Sequence, residues 1–485
     1  MSEHFLPCDR DQQYLMPASL REWLPEDHLA WFVLDAVAEL ELDAIVGAYR
    51  EDGRGGAAHD PRMMTALLLY GYCLGVRSSR QIERACRLDI GFRVIAANQT
   101  PDHTTIARFR QRHARALERV FATSLRLCAQ AGMADVGVVA LDGTKLGCPA
   151  SLDANHRRST IEAALGELEP KSPGAGADAD PLLDVVRGMF AEAEAADAEE
   201  DARFGPDRRG DEPPAELRGR AARRERFRRA KAELDAQEAA ARAAHEAHLA
   251  ERAAREAESG TKLRGRKPKE PDPTEARHAN TSDPESRVMH TKQGYLQGYN
   301  CQALVNADQV VIAAELTDER NDQGQLHPMI AAARESLAQA GIAERLGRLL
   351  ADAGYCTETN LAALTAADPD CFIATRNLRR HPEPRHGRRG PLPRDASLVD
   401  RMDRKVSTVA GRALYRLRSA FVEPVFGQLK DARRVLRFLR RGKAAAASEW
   451  KLLMGTHNLL KLYRRARAET SLAPWWHRLP TAVTA

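Results

Sequence analysis

Hydrophobic residues recur every three or four positions through the first 135 residues of the chain. The stretch "WLPEDHLAWFVLDAVAELELDAIVGAYR" shows this spacing, and "HDPRMMTALLLYGYCLG" has a proline in its first turn and apolar residues on most faces. Both features are typical of amphipathic or buried helices. The pattern therefore predicts a mostly helical N-terminal domain over residues 1–135.

Two shorter helices are predicted within "SSRQIERACRLDIGFRVIAANQTPDHTTIARFRQRH". A helix started by serine, a break and a second helix entered through "TPDHTT" are similar to a helix-turn-helix pair. That arrangement would place Thr104, Thr105 and Arg108 near the start of a helix that enters a DNA groove. The same pattern also fits an ordinary helical hairpin whose arginines face water. His103 and His327 both lie where a helix begins, so we expect structural roles for them.

The pattern changes to that of strands at "VGVVAL", a β-branched apolar run that ends in Asp142. After a long interruption, a hairpin is predicted in "GYLQGYNCQALVNADQVVIAAELT". A helix, the strand "GRLLAD", another helix and the strand "CFIATR" follow. This order of elements is typical of an α/β ribonuclease-H-like fold, in which the first and fourth strands lie side by side.

The interruption, residues 151–286, is rich in Ala, Glu and Arg and is broken by "KSPGAG" and "GPDRRGDEPP". It predicts an insertion of long exposed helices and linkers. The core then comprises residues 136–150 plus 287–470, followed by a tail over 471–485. Within the insertion, "LRGRKPKEPDP" is similar to a minor-groove hook of the Arg-Gly-Arg-Pro type. The extra Lys267 before Pro268 favours a basic linker instead.

Two of the predicted strands end in a carboxylate. Asp142 closes the first strand, and Asp352 closes the later strand in "LLADAGYC". Aspartate is also common in turns and at helix starts, so one such residue alone means little. In the predicted sheet, however, the two would lie a few ångströms apart, and two carboxylates that close repel each other unless a divalent cation lies between them. Oxygen ligands of this kind suit Mg²⁺.

A third acid is expected from a helix that packs on the sheet. Glu423 is the candidate, because Arg416, Glu423, Lys430 and Arg437 recur every seven residues. On a continuous helix they would lie within about 20° of one face. Pro424 allows an alternative, in which the helix begins or kinks there and Glu423 lies in its first turn.

Charge is distributed unevenly, although the net charge is only +5. From Cys371 to the C terminus the chain has 26 Lys and Arg against 8 Asp and Glu. Such a segment would attract a polyanion through phosphate contacts and counterion release, and a solvated basic surface has the same composition.

Other classes of protein are disfavoured. The longest apolar stretch, around Ala66 to Val76, is too short to span a bilayer, and the polar "MSEHFLPCDRDQQ" lacks the apolar region of a signal peptide. The eight cysteines form no CxxC pair, which argues against a disulfide framework and a zinc module. We therefore expect a soluble cytoplasmic protein of about two to four domains.

Several motifs together make the chain resemble a DDE transposase of bacterial insertion sequences. Those similar to the N-terminal domain of that family are "DRDQQYLMPASLREWLPEDHLAWFV", "HDPRMMTALLLYGYC", "SSRQIERAC" and "PDHTTIARFRQRH". Those similar to its catalytic core are "ALDGTK", "DPESRVMHTKQGYLQGYNCQALV", "ERNDQGQLHPM", "LLADAGY" and "VEPVFGQLK".

The family's Tyr-Arg-Glu-Lys signature is matched in part. Tyr415 and Arg418 have the expected two residues between them, and Glu423 and Lys430 the expected six. Arg418 and Glu423 are separated by four residues where the signature has three. Arg416, on the heptad face, and Arg418 are thus both candidates for gripping a phosphate beside the scissile bond, and Lys430 is the firmer match.

The resemblance implies that Asp142, Asp352 and Glu423 form a metal-binding catalytic triad. Two Mg²⁺ ions, replaceable by Mn²⁺, would activate water for strand cleavage and then the freed 3′-hydroxyl for attack on target DNA. The implied partners are the terminal inverted repeats of the element and the target DNA, bound by a homodimer at the nucleoid.

Other functions share some of these features. A metal-dependent nuclease of the same fold would cut DNA without joining it, and an inactive or domesticated relative would bind DNA ends as a regulator. A helical scaffold that uses the insertion to contact partners leaves the strand-end acids unexplained. The presence of all three acids favours an active enzyme.

Overall fold

The computed structural model describes residues 19–49, 58–168, 185–188, 219–262, 270, 277–375, 392–393 and 395–468. The chain divides into two compact units, one formed by residues 1–117 with 459–485 and the other by residues 118–458. Throughout these described ranges, helices that are both long enough and apolar enough to span a membrane are absent.

The first unit is helical over most of its described part, as the spacing predicts. Its helices are α1 (Leu29–Ala38), α2 (Asp43–Val46), α3 (Pro61–Leu74), α4 (Ser79–Leu88), α5 (Ile90–Ile95) and α6 (His103–Arg112). Helix α3 shows how local sequence determines where such a helix begins and ends. The Asp60 side chain accepts a hydrogen bond from the backbone N–H of Arg62, Pro61 occupies the first turn, and Gly75 ends the helix at a positive φ of 78°.

The segment predicted as a helix-turn-helix contains a third helix. Helix α5 lies between α4 and α6, where the sequence suggested only a break. Asp89 caps α5 by accepting a hydrogen bond from the N–H of Phe92 at 3.0 Å, and Phe92 is buried. Because α5 intervenes, α4 and α6 are not joined by the three- or four-residue turn of that motif.

The rest of the described chain contains the sheet and the helices around it. Its helices are α7 (Ala114–Gln130), α8 (Arg158–Leu168), α9 (Gly219–Ser259), α10 (Leu326–Gln339), α11 (Glu358–Ala362), α12 (Leu398–Ser407), α13 (Val409–Gly427) and α14 (Lys443–Ala468). Its strands are β1 (Val138–Gly147), β2 (Asn155–Arg157), β3 (His278–Asn280), β4 (Arg287–Thr291), β5 (Gly294–Asn306), β6 (Val311–Thr317), β7 (Arg348–Ala351) and β8 (Asp370–Ile373).

The main sheet has the order β4-β5-β1-β7-β8, with β6 also paired to β5. Strand β5 is antiparallel to both β1 and β6, so β5 and β6 form the predicted hairpin. Strands β1, β7 and β8 are parallel. The strands predicted as the first and fourth of the core, β1 and β7, therefore lie side by side, as expected of a ribonuclease-H-like sheet. The added strand β4, which the sequence pattern did not predict, makes β7 the fifth strand of the sheet along the chain.

Helix α14 closes one side of the second unit. Trp450 is fully buried and donates its indole N–H to the backbone oxygen of Gln302 on β5 at 3.0 Å. The Asn458 amide both accepts from the N–H and donates to the carbonyl of Val311 on β6. These contacts satisfy backbone groups of the sheet that would otherwise be buried without partners.

The insertion contains a helical pair with a small core of its own. Helix α8 packs on the first half of α9 through buried residues that include Ile161, Phe227 and Leu234. Arg158 bonds Asp235 at 2.5 Å and Glu238 at 3.2 Å across the pair. The stretch "LRGRKPKEPDP" lies outside the described residues except for Glu270, as do the basic residues 376–390 and the tail 471–485.

Candidate active site

Two carboxylates lie beside each other where the parallel pairing of β1 with β7 ends. The prediction that Asp142 closes its strand is wrong, because β1 stays paired with β5 and continues to Gly147. Leu141 pairs with Ala351, and each is followed directly by an aspartate, Asp142 and Asp352. Burial raises the pKa of the Asp142 carboxyl, and the charge of Asp352 adds to that rise. The two acids predicted from the strand ends are therefore close enough to repel each other.

Asp352 also has a structural task. Its Oδ1 accepts a hydrogen bond from the Gly354 N–H at 2.7 Å and so caps a single 3₁₀ turn over Ala353–Tyr355. Capping uses one oxygen, and asparagine or serine caps as well as aspartate does. The cap alone therefore does not explain why the side chain carries a negative charge.

Arg418 from α13 supplies the opposite charge. Its Nη1 donates to Asp142 Oδ2 at 2.8 Å, and both side chains are mostly buried, with exposed fractions of 16% and 19%. Burial alone would lower the pKa of the guanidinium, but attraction to Asp142 raises it above the ordinary value. The same cation opposes the rise in the pKa of Asp142.

One face of α13 presents two of the signature residues, Tyr415 and Arg418, to this edge of the sheet. Tyr415, Arg418, Val422 and Val425 follow each other at helical spacing, and Val422 and Val425 are fully buried. Tyr415 lies near Arg418, since the two groups influence each other's pKa, and burial raises the pKa of the Tyr415 hydroxyl. The structure thus selects Arg418, not the exposed Arg416, as the arginine beside the carboxylates.

Glu423 is not brought to this cluster. It follows Arg418 by five positions, which places the two about 140° apart around a helix, and its side chain is exposed. A spacing of four positions would have put both on one face. Within the described ranges, no three His, Cys, Asp or Glu side chains lie close enough to hold one metal ion. The triad with Glu423 remains a prediction.

The predicted heptad stripe on one continuous helix is wrong. Pro424 lies inside α13, which ends at Gly427, and residues Gln428–Ala432 form a π-helix. Lys430 lies in that π-helix, and its Nζ donates to the Lys145 carbonyl of β1 at 3.3 Å. Arg437 lies beyond it in a bridge to Gly147. The wider π turn changes the phase of the helix, so the four residues do not share a face.

The structure adds polar residues to the site that sequence reasoning did not single out. Asp322, in the loop after β6, accepts hydrogen bonds at Oδ1 from Asn300 at 2.8 Å and Gln302 at 2.7 Å. The Tyr355 hydroxyl donates to Gln302 Oε1. The position of Asp322 after the second strand of the predicted hairpin could have indicated this role. Strand β6 runs parallel to β1, so an acid that follows β6 lies at the same edge of the sheet as Asp142.

Comparison with models of protein families shows to which family the chain belongs. A family model described as a transposase domain (DUF772) matches residues 18–112, and one described as a transposase DDE domain matches residues 262–459. The chain belongs to the DDE transposases. Neither the comparison with curated proteins nor that with solved structures found a match.

Most of the candidate site falls inside the matched DDE range of the transposase. That range contains Asp322, Asp352, Arg418 and Glu423. Asp142 lies outside both matched ranges, on a strand that the insertion separates from the rest of the sheet. Its place beside Asp352 is evident only from the pairing of β1 with β7.

A DDE domain implies a divalent metal, typically Mg²⁺, and the oxygen donors present fit one. Mg²⁺ is commonly held by one or two carboxylates, and it completes its shell with water and substrate phosphates. Asp142 and Asp352 offer these two carboxylates on adjacent strands. In the transposase, metal and substrate would approach from the half-exposed edge where both acids lie.

The residues predicted to contact DNA in the N-terminal unit lie at the start of α6. The hydroxyls of Thr104 and Thr105 donate to the Asp102 carboxylate, and these bonds lower the pKa of Asp102. Arg108 is exposed one turn later. His103 bonds Glu83 of α4 at 2.8 Å, a contact between helices of the kind expected for a structural histidine.

Gly143, which follows Asp142, leaves room for the Asp322 contacts. A Cβ at this position would lie 2.4 Å from Gln302 Nε2 and 2.6 Å from Asp322 Oδ1. We therefore expect Gly143→Ala to lower the free energy of unfolding by about 1–3 kcal/mol, because both hydrogen-bonded groups must shift. Urea denaturation measures the change. The control is Gly166→Ala on α8, where a Cβ meets nothing within 4 Å. Equal stability of Gly143→Ala and wild type would contradict the expectation.

Proposed function

We propose that the transposase cleaves and joins DNA with divalent metal held by Asp142 and Asp352. One observation carries the proposal: the parallel pairing of β1 and β7 ends at Leu141 and Ala351, and the residue that follows each of them is an aspartate. When bound, the metal would supply an activated water and stabilise the charge that develops on the scissile phosphate.

Arg418 is proposed to bind the DNA phosphate next to the scissile bond. Its guanidinium is held at the carboxylates by Asp142 and carries several N–H donors in a planar fork. Such a fork suits a phosphate oxygen pair. Lys430 adds a second cation close to β1, where it bonds the Lys145 carbonyl. Burial lowers the pKa of this lysine, so a phosphate nearby would favour its charged form.

We propose Glu423 as the third acid, used with a second metal ion once DNA is bound. Support for a movable helix comes from Pro424, which cannot donate to the carbonyl of Ala420. The Gln309 side chain donates to that carbonyl instead, at 3.3 Å. The proposal requires the helix to change course at this point so that Glu423 reaches the two aspartates. Mn²⁺ is expected to replace Mg²⁺, since both accept oxygen ligands.

The N-terminal unit is proposed to bind the terminal inverted repeats, with Arg108 contacting a phosphate or base. Arg108→Ala should weaken binding to a duplex that carries the element's end. It should also reduce the slope of log Kd against the logarithm of the salt concentration by about one. Fluorescence anisotropy at several salt concentrations measures both. Arg87→Ala is the control, because Arg87 is an exposed arginine of the same unit already paired with Glu83. Equal losses in the two variants would refute a specific role for Arg108.

The remaining proposals concern assembly. An element has two ends and both must reach one target, so we propose that two copies of the transposase act together as a homodimer. Target DNA would then contact the basic segment toward the C terminus. The site of action would be the cytoplasm, at the nucleoid.

The test of the catalytic proposal uses a labelled duplex with the element's own end. The protein should cut it at the end with Mg²⁺ or Mn²⁺ and leave it intact with EDTA. Cleavage that proceeds equally well in EDTA would refute metal-dependent chemistry at Asp142 and Asp352.

A further inference from the structure

A buried polar network lies behind the turn that carries Asp352. Its members are the side chains of Asn300 and Gln302 on β5, Tyr355 and Asp322. The exposed fractions of Asn300, Gln302 and Tyr355 are 1%, 0% and 0%. On the same strand, Ala303, Leu304 and Val305 are apolar and fully buried, so the polar pair interrupts an apolar core strand. A buried amide in such a place requires partners.

Asp322 supplies those partners. Its Oδ1 accepts from both amides, and the Gln302 amide also donates to Asn300 Oδ1 at 3.1 Å. With its N–H₂ group committed in this way, the Gln302 side chain can only present its oxygen to Tyr355. The Tyr355 hydroxyl donates to that oxygen. The orientation of Gln302, and hence the partner of Tyr355, is therefore set by Asp322.

Tyr355 connects the network to the acid. It is the last residue of the 3₁₀ turn that Asp352 caps. Gly354, between them, lies directly against Asp322: a Cβ on Gly354 would be 3.5 Å from Asp322 Oδ2 and 2.9 Å from Asp352 Oδ1. Both carboxylates thus border the same point of the backbone.

A second contact connects the loop that contains Asp322 with the turn that contains Asp352. The buried Asn360 amide donates to the backbone oxygen of Gln323 at 2.7 Å and to that of Tyr355 at 2.8 Å. It therefore joins the loop of Asp322 to the turn of Asp352. The loop after β6 and the turn after β7 form one hydrogen-bonded unit, although each belongs to a different strand.

We propose that Asp322 is a positioning residue of the transposase, which through Gln302 and Tyr355 holds Asp352 in the geometry that metal and DNA require. This inference rests on the proposed role of Asp352. Groups that orient metal ligands commonly affect metal affinity or activity by 10- to 100-fold. Asp322 itself is not assigned to the metal.

The test compares Asp322→Ala, which removes the oxygen that accepts from both amides, Tyr355→Phe and the control Tyr299→Phe. Tyr299 is also fully buried on the same sheet and donates its hydroxyl to a buried aspartate, Asp283, at 2.7 Å. Each tyrosine variant thus removes one hydroxyl and keeps the ring. The measured quantities are the Mg²⁺ concentration for half-maximal cleavage, affinity for the DNA end, the Tm, and hydrogen exchange of the peptide that contains residues 352–356.

Asp322→Ala and Tyr355→Phe should raise the half-maximal Mg²⁺ concentration about tenfold and speed exchange in residues 352–356, with DNA affinity unchanged. Tyr299→Phe should lower the Tm without either effect. The inference is overturned if the two site variants leave the Mg²⁺ requirement unchanged, or if Tyr299→Phe shifts it as much. Failure of the proposed function is distinguished by a separate variant. If Asp352 does not hold the metal, Asp352→Asn remains active, whatever the effect of the Asp322 variant.

Discussion

Replacing Asp352 by asparagine should abolish cleavage and joining, by about a thousandfold or more, in a protein that still folds and binds DNA. Asparagine keeps the oxygen that accepts the Gly354 N–H, so the cap of the 3₁₀ turn survives. Only the negative charge is lost. A bound metal contributes several kcal/mol to the transition state, and a thousandfold corresponds to about 4 kcal/mol. The rate of end cleavage at saturating Mg²⁺ measures the effect.

Asp370→Asn is the matched control. Asp370 lies at the other end of the parallel strands, where it pairs with Arg348 in the sheet and forms an ion pair with Lys405. Its substitution should leave cleavage within about twofold of wild type, because an exposed ion pair contributes little. If Asp352→Asn kept a tenth or more of the wild-type rate, Asp352 would be a turn former only.

Replacing Arg418 by alanine should be the most destabilising single change at the site. It leaves Asp142 mostly buried, without its cation and next to Asp352. Breaking such a pair costs about 3 kcal/mol of unfolding free energy. Arg416→Ala, on the same helix but exposed, should cost no more than about 0.5 kcal/mol. Urea denaturation in EDTA compares the two.

Added Mg²⁺ sharpens the comparison. A cation bound between the carboxylates would replace part of the lost charge, so Mg²⁺ should recover more stability in Arg418→Ala than in wild type. The two variants also show which arginine binds the DNA phosphate. Only Arg418, which lies beside the carboxylates, should be needed for cleavage. Equal effects of Arg416→Ala and Arg418→Ala on stability and cleavage would contradict the assignment.

The two aspartates could be predicted from the sequence because their positions depend on simple rules. An apolar run marks each strand, an acid follows each run, and the order of elements makes β1 and β7 neighbours. In β1 the acid ends the apolar run but not the strand, which continues to Gly147. Each step uses local sequence or topology. The parallel pairing of Leu141 with Ala351 is what these rules require.

The prediction of a heptad stripe failed because the path of the helix depends on tertiary contacts. Spacing assumes that an α-helix continues, but the chain passes into a π-helix at Gln428 and leaves it near Arg434, whose φ is 54°. Leu429 within the π-helix, and Val435 and Phe438 after it, are fully buried. Burial of these side chains determines the path of the chain, and no pattern in the segment itself reveals a π turn.

Asp322 and helix α5 were missed for different reasons. Asp322 is separated from the end of β6 by several loop residues, so no strand ends on it. Its importance arises from the buried amides of β5, which sequence alone does not place opposite it. Helix α5 is only six residues long, and its apolar residues were attributed to a break between longer helices. Short helices depend on packing more than on their own propensity.

The most direct test of the account is strand transfer by the wild-type transposase. The substrate is a pre-cut duplex that carries the element's end with a free 3′-hydroxyl, mixed with supercoiled target DNA. The account predicts joined product with Mg²⁺ and none with EDTA or with a 3′-deoxy end. Cutting of the target without any joined product would contradict it and would leave a metal-dependent nuclease in its place.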